Sequence, residues 1–232
     1  MLILGLQKTT LLDFPGKLAS TVFTGGCNFR CPYCHNGDLV LQPGQQASYS
    51  VEEVMEHVES RSKVIDGVAI TGGEPTLHAD LYDFIKSIKD LGLLVKLDSN
   101  GTNPAMLKRL IDDKMVDYIA MDIKHSFAKY NQVACMKNLD MTAISESVDL
   151  LMASDIDYEF RTTVAKPLHT VDDMRDISKW IKGAKAYFLQ NYKESEQVID
   201  KVFSPYTNEE LNEFVEAISP LVPSVKIRGV ED

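Results

Sequence analysis

The sequence predicts an α/β fold in which helices cover the outside of a parallel sheet. Short apolar segments of strand length alternate about six times with longer segments whose apolar residues recur at helical spacing. This alternation, with strands apolar enough to be buried on both faces, is typical of a parallel sheet. A chain of 232 residues can bury a substantial core, so we expect a single domain over residues 1–232.

Each element in the first half of the chain has its own signal. Ser50 and Glu53 have the spacing of a capping box, and Asn103 before Pro104 is typical of a helix start. Apolar runs predict the strands, and apolar residues at i, i+3 and i+4 predict the helices. The predicted elements are, in order, an irregular or short-stranded segment over 1–18, a strand at 19–24, a helix from 51 to 63, a strand at 67–71, a helix from 81 to 92, a strand at 93–97, a helix from 104 to 111 and a strand at 118–122.

The second half repeats the alternation after a polar segment, residues 125–140, whose structure the sequence leaves undecided. Thr170 opens one helix, and Thr207 with Glu210 forms a capping box at the start of the last helix. The predicted elements are, in order, a helix at 142–154, a strand at 158–164, a helix from 171 to 181, a strand at 186–189, an irregular connection over 191–206, a helix from 208 to 218 and a strand at 225–228.

Composition and charge exclude several classes of protein. With 44% hydrophobic and 25% charged residues, the chain has the composition of a folded domain rather than a disordered one. The net charge of −10, without a run of Lys or Arg, argues against nucleic acid as a partner. No segment approaches the roughly 18 apolar residues of a membrane span, so we expect a cytoplasmic protein that does not bind membranes.

Three cysteines lie in one loop directly after the first buried strand. Cys27, Cys31 and Cys34 have the spacing C-x3-C-x2-C, and soft thiolate ligands favour an iron–sulfur cluster or zinc. A four-iron cluster held by three cysteines keeps one iron open for a substrate. The alternative is zinc with His35 as fourth ligand, but a histidine next to its neighbouring cysteine fits poorly in a closed tetrahedron.

This cysteine loop resembles the signature of the radical S-adenosylmethionine (SAM) superfamily, in which three cysteines hold a [4Fe–4S] cluster and SAM chelates the fourth iron. Tyr33 fills the aromatic position of that signature. The flanking segments, Asp13 to Gly16 and Tyr33 to Asn36, are similar to those of glycyl-radical-enzyme activases. The likeness is greatest to anaerobic ribonucleoside-triphosphate reductase activating proteins of the pyruvate formate-lyase activase type. It implies an open, partial (β/α)6 barrel, which periodicity alone does not distinguish from a doubly wound sheet.

Further polar motifs follow the next strands. The carboxyl ends of parallel strands meet at one edge of the sheet, so we expect these motifs to share one site. The segment Thr71 to Pro75 resembles the glycine-rich element of the superfamily, which implies contacts from Gly72, Gly73 and Glu74 to the amino group of SAM. Glycines there allow the backbone to approach a ligand closely.

The resemblance also assigns roles to charged residues at the later strand ends. Asp98, Ser99 and Asp122 resemble activase positions that bind a monovalent cation near the SAM carboxylate and ribose. Arg161 lies on the strand from which related activases reach that carboxylate, and it shares a face with Glu159 and Thr163. Lys124 is interpreted as an organising charge rather than a base.

Three weaker assignments complete the predicted site. Gln190 or Asn191 follows the sixth predicted strand, where related activases place a residue near adenine. His35 and Asn36 are expected beside the cluster or SAM, although a simple loop role is an equal alternative. The remaining cysteine, Cys135, has no partner in sequence, and we expect an inert buried thiol.

The resemblance implies an activase that cleaves SAM reductively and installs a glycyl radical on a partner enzyme, namely anaerobic ribonucleoside-triphosphate reductase. Flavodoxin or ferredoxin is the expected electron donor. Alternatives are activation of another glycyl radical enzyme of the pyruvate formate-lyase type, a small-molecule radical SAM enzyme, and a non-catalytic metal or electron-transfer protein. The subclass with an inserted ferredoxin-like domain is excluded, because two more clusters would require about eight further cysteines.

Overall fold

An eight-stranded sheet, with its strands in sequence order, forms the centre of the fold. The computed structural model describes residues 1–229. The first two strands pair antiparallel, and every later neighbouring pair is parallel. Within residues 1–229 the first and last strands do not pair with each other, so the sheet is open. The strands are β1 (Ile3–Thr10), β2 (Ala19–Thr24), β3 (Gly67–Gly72), β4 (Leu94–Ser99), β5 (Tyr118–Asp122), β6 (Asp157–Val164), β7 (Tyr187–Asn191) and β8 (Val225–Arg228).

Helices connect each parallel strand to the next. The segment from β2 to the last helix therefore consists of six strand-and-helix units, and β8 follows them. This confirms the predicted partial (β/α)6 barrel. None of the helices in the described part of the chain has the length and apolar composition that a membrane span requires. The helices are α1 (Gly37–Leu41), α2 (Val51–Arg61), α3 (Leu81–Asp90), α4 (Pro104–Asp112), α5 (Tyr130–Ala134), α6 (Met141–Ala153), α7 (Val171–Trp180) and α8 (Asn208–Ile218).

Side-chain caps form at the predicted starts of two helices, α2 and α8. The Ser50 hydroxyl accepts a hydrogen bond from the Glu53 backbone, and the Glu53 carboxylate accepts one from the Ser50 backbone. The same reciprocal pair forms between Thr207 and Glu210. Because each cap satisfies N–H groups that have no partner within the helix, it fixes where the helix begins.

The two faces of the sheet differ in chemistry, and β4 shows how. Val95 and Leu97 are fully buried on the face that packs against the helices. Lys96 and Asp98 alternate with them and therefore lie on the inner, concave face of the barrel. The apolar core thus lies between the sheet and the helices, and charged residues occupy the concave side.

Three local expectations are corrected or completed. The first segment is an eight-residue strand, β1, rather than a short or irregular one, and it is antiparallel because a short connection joins it to β2. The undecided segment contains a short 3-10 turn and α5. Cys135 is exposed rather than buried, since α5 ends at Ala134 and Cys135 turns away from the core in a left-handed conformation with φ 48°. The last residues of the predicted domain, 230–232, lie outside the described residues.

Candidate active site

A cavity of about 240 Å³ lies at the carboxyl ends of the strands. Every residue to which the sequence assigned a metal or cofactor role lines it. These residues are Cys27, Cys31, Tyr33, Cys34, Gly72, Gly73, Glu74, Asp98, Ser99, Asp122, Lys124, Arg161 and Gln190. His35 and Asn36 also line the cavity, as do Phe29 and Val40, which the sequence did not single out. The predicted motifs, which are far apart in the chain, therefore share one site.

Of the two candidates at the end of β7, only Gln190 lines this cavity. Asn191 instead holds the connection between β7 and α8, because its side-chain amide donates to the Tyr206 carbonyl oxygen and accepts from the Tyr206 backbone N–H. The two distances are 2.8 and 3.0 Å.

The cysteine loop presents its sulfurs from a largely buried position. The Cys27 sulfur accepts a hydrogen bond from the Phe29 backbone N–H at 3.3 Å and a longer one from the Asn100 side-chain amide at 3.9 Å. Burial raises the pKa of Cys27 to about 11 and that of Cys31 to about 12. In the absence of a positive partner both groups are neutral thiols, and a metal would supply the charge that stabilises their thiolates.

The arrangement of the cysteines fits a cluster better than a single zinc ion. Among residues 1–229, no three His, Cys, Asp or Glu side chains converge closely enough to hold one metal ion. A four-iron cluster binds each thiolate to a different iron, so three sulfurs on the wall of one cavity meet its requirement. The His35 Nε2 atom lies 2.5 Å from the Lys193 carbonyl oxygen, so only the Nδ1 atom of this ring is left to bind a metal.

The glycine-rich segment after β3 is packed directly against the backbone that precedes the cysteines. Gly73 donates to the Thr24 carbonyl oxygen and Glu74 donates to the Gly26 carbonyl oxygen, both at 2.8 Å. A Cβ atom on Gly73 would lie 1.8 Å from the Gly26 carbonyl oxygen. Only glycine allows this approach, which aligns the two loops that border the cavity.

Gly73→Ala is therefore expected to displace the cysteine loop. The added methyl group cannot fit without backbone movement, at a cost of roughly 1–3 kcal/mol. Iron and sulfide content after anaerobic reconstitution should fall, together with the denaturation midpoint. Gly44→Ala is the matched control, because a Cβ atom there meets no atom within 4 Å. Equal iron content and equal midpoints in the two variants would contradict the prediction.

Glu74 is a buried carboxylate that links the ends of β3 and β4. Its Oε1 atom accepts from the Thr76 backbone, the Thr76 hydroxyl and the Ser99 hydroxyl, and its Oε2 atom accepts from the Asn100 backbone. Only 1% of Glu74 is exposed, and burial raises its pKa. Both oxygens are thus occupied within the protein, and the part of this motif that remains for a ligand is its backbone.

A chain of alternating charges crosses the site from β4 to the end of β5. Arg161 on β6 donates from Nη1 to Asp98 at 3.1 Å and from Nε to Asp122 at 3.0 Å. Lys96 contacts the other Asp98 oxygen, and Lys124 contacts the other Asp122 oxygen at 2.9 Å. Three cations and two carboxylates form this chain, and the Glu74 carboxylate also lines the cavity, so the formal charges of these side chains balance.

The pKa shifts in this chain have a common cause. Burial alone would raise the pKa of Asp122, but Arg161 and Lys124 outweigh it and lower that pKa to about 2. The pKa of Asp98 is also lowered, because Arg161 and Lys96 outweigh the effect of burial. Burial would lower the pKa of Lys124, but Asp122 raises it well above its ordinary value. Lys124 therefore stays protonated, which suits an organising charge and not a base.

The carboxylates do not fit the monovalent cation that the resemblance suggested. Each of the four oxygens of Asp98 and Asp122 already contacts an ammonium or guanidinium group. Asp98 also accepts a hydrogen bond from the Thr71 hydroxyl at 2.9 Å. The sequence analysis missed Lys96, although a lysine between Val95 and Leu97, on the same strand face as Asp98, was a visible signal.

Comparison with known proteins agrees with this geometry. The sequence profile of the Radical SAM superfamily matches residues 21–181, so the chain belongs to the radical SAM superfamily. Within it the chain is one of the glycyl-radical enzyme activating enzymes, since a candidate member from Methanocaldococcus jannaschii is 32% identical over 99% of this chain and 96% of its own.

Two further relatives show the range of the similarity. The pyruvate formate-lyase-activating enzyme of Clostridium pasteurianum is 30% identical over 52% of this chain and 51% of its own. The crystal structure of Streptococcus suis SuiB bound to S-adenosylmethionine has a TM-score of 0.70 and 12% identity, and the match covers 90% of this chain and 49% of that one. At that identity SuiB supports the fold alone.

Proposed function

We propose that this chain uses a [4Fe–4S] cluster and SAM to install a glycyl radical on anaerobic ribonucleoside-triphosphate reductase. The observation that carries the proposal is one cavity that the three cysteines line together with Arg161 and Lys124, two cations that can face an anionic group of the ligand. When bound, the reduced cluster would supply the one electron that cleaves SAM to methionine and a 5′-deoxyadenosyl radical, and this radical would take a hydrogen atom from a glycine of the partner.

The residues of the chain would bind and orient these groups. Cys27, Cys31 and Cys34 hold the cluster as thiolates. Arg161 uses two of its five N–H groups on Asp98 and Asp122, which fixes the guanidinium plane and leaves donors for the SAM carboxylate.

Other parts of the cavity suit the rest of SAM. The backbone of Gly72 and Gly73 suits the amino group of its methionine part. Gln190 borders the side that the resemblance assigns to adenine. The Tyr33 hydroxyl is buried and has no hydrogen-bond partner within residues 1–229, so this ring serves mainly as an apolar wall.

The shape of the sheet favours a polypeptide substrate. β1 and β8 do not pair within the described residues, so the barrel has an open side through which a loop of a partner can reach the cavity. Flavodoxin or ferredoxin is the proposed electron donor. Pyruvate formate-lyase is the second candidate partner, which the similarity to the Clostridium pasteurianum enzyme favours.

Electron paramagnetic resonance on an anaerobic mixture tests the proposal. The mixture contains the reconstituted protein, a reductant, SAM and the anaerobic ribonucleotide reductase of the same host. We expect a glycyl-radical doublet, its loss in Cys31→Ala and its retention in Cys135→Ala, which removes an exposed cysteine outside the loop.

Two other outcomes are informative. If 5′-deoxyadenosine accumulates without a doublet, the partner is wrong, and pyruvate formate-lyase is tested next. If neither forms while iron analysis and absorbance verify a complete cluster, the activase proposal fails.

A further inference from the structure

Lys96 is a buried lysine beneath the cavity, and it belongs to no motif of the predicted site. It lies in the middle of β4, is 3% exposed and does not line the cavity itself. The strand register places it between Ala69 of β3 and Tyr118 of β5. Its Nζ atom contacts the Asp98 oxygen that faces away from Arg161.

A lysine at such a position is costly unless it compensates another charge. Removal of an ammonium group from water carries a penalty of several kcal/mol, which only a close opposite charge offsets. The lysine ammonium is a compact point charge, and it resembles a small monovalent cation more than the planar guanidinium of Arg161 does. The small Ala69 side chain on the neighbouring strand leaves room for it.

We propose that the Lys96 ammonium is a built-in replacement for a bound monovalent cation, so that SAM binding by this chain requires no added cation. Lys96 neutralises Asp98 from below, and Arg161 bridges Asp98 and Asp122 from the cavity side. With Lys124 on the far oxygen of Asp122, both aspartates are neutralised, and Arg161 keeps N–H groups that can bind the SAM carboxylate. Lys96 is thus a positioning residue that acts through Asp98 and Arg161, and the inference rests on the proposed function.

The test measures SAM affinity of the reconstituted protein by anaerobic calorimetry in two salts of equal ionic strength, potassium chloride and tetramethylammonium chloride. Wild-type affinity should be equal in both. Lys96→Ala should lose about tenfold or more in tetramethylammonium, because Asp98 then lacks a counter-charge and competes for Arg161. Potassium or ammonium ions, which are small enough for the vacated space, should restore most of the loss. Lys96→Arg, which keeps the charge, should bind SAM in tetramethylammonium.

Thermal unfolding of the same samples provides a readout that does not depend on SAM. Potassium should raise the unfolding midpoint of Lys96→Ala. It should not change the midpoint of the control Lys86→Ala, which removes an exposed ion pair on α3. Potassium-dependent affinity in the wild type would overturn the inference, and so would full affinity of Lys96→Ala in tetramethylammonium. If the wild type with a verified cluster binds no SAM in either salt, the proposed function itself fails and the inference fails with it.

Discussion

Arg161→Gln is expected to cost roughly 3–5 kcal/mol of folding free energy near pH 7, because it removes two charge-assisted hydrogen bonds, each worth roughly 1.5–3 kcal/mol, to two partly buried carboxylates. Arg161 is 13% exposed at its side chain and contacts both Asp98 and Asp122. The loss should appear in anaerobic urea unfolding of the variant and the wild type. SAM affinity should fall as well, since the same guanidinium is proposed to bind the SAM carboxylate.

The loss of stability caused by Arg161→Gln should become smaller as the pH falls. In the wild type the pKa values of Asp98 and Asp122 are lowered, so they contribute stability that is present above about pH 4 and is lost as the pH falls towards about 2. In the variant each carboxylate keeps only its lysine partner, so both pKa values should be higher than in the wild type and the carboxylates should protonate at a higher pH. The deficit should therefore be largest near pH 7 and smaller at pH 4.

Arg175→Gln is the matched control for this experiment. It removes an exposed pair with Asp172 on α7 and should change stability by less than about 1 kcal/mol at any pH. A deficit in Arg161→Gln that stays constant or grows as the pH falls would rule out the electrostatic explanation.

Glu74→Ala is expected to cost roughly 3–5 kcal/mol, because four buried donors lose their acceptor. Glu74→Gln should cost less, about 1–3 kcal/mol. Its amide oxygen can keep the three donors on Oε1, and only the Asn100 backbone N–H then faces an NH2 group. Iron content after reconstitution should follow the same order, since Asn100 also contacts Cys27.

Urea unfolding and iron analysis of three variants check this order. Glu56→Ala, on the exposed face of α2, is the control and should behave as the wild type. If Glu74→Ala and Glu56→Ala lose equal stability, the four hydrogen bonds do not link the two strand ends as described.

Local signals made the order of elements predictable. The predicted capping boxes at Ser50 and Thr207 form, Thr170 caps the helix that it was expected to open, and the alternation of strand and helix is observed. β1 was underestimated because it is a partly exposed edge strand with a polar second half, so the apolar run over residues 1–6 marks only its beginning. Its place in the sheet depends on pairing with β2.

The members of the site were also predictable in part. Motifs at strand ends could be assigned to one edge of the sheet, and the structure brings them together in the cavity. Their mutual contacts could not be predicted, because these depend on register. Arg161 lies opposite Asp122 on the neighbouring strand and reaches Asp98 one strand further. The contact between Lys96 and Asp98 also depends on register, and so do the hydrogen bonds that link Glu74 to Ser99 and Asn100.

The connection between β7 and α8 determines when the cysteine loop is covered during synthesis of the chain. The Asp200 backbone N–H donates to the Pro32 carbonyl oxygen at 2.7 Å, and the Gln197 carbonyl oxygen lies where a Cβ atom on Gly37 would be. His35 and Lys193 meet across 158 residues of sequence. Because such distant contacts form after local ones, the cysteine loop gains its outer wall only when most of the chain has left the ribosome. A nascent chain therefore exposes these thiols to solvent, and to oxygen where it is present, until the end of its synthesis.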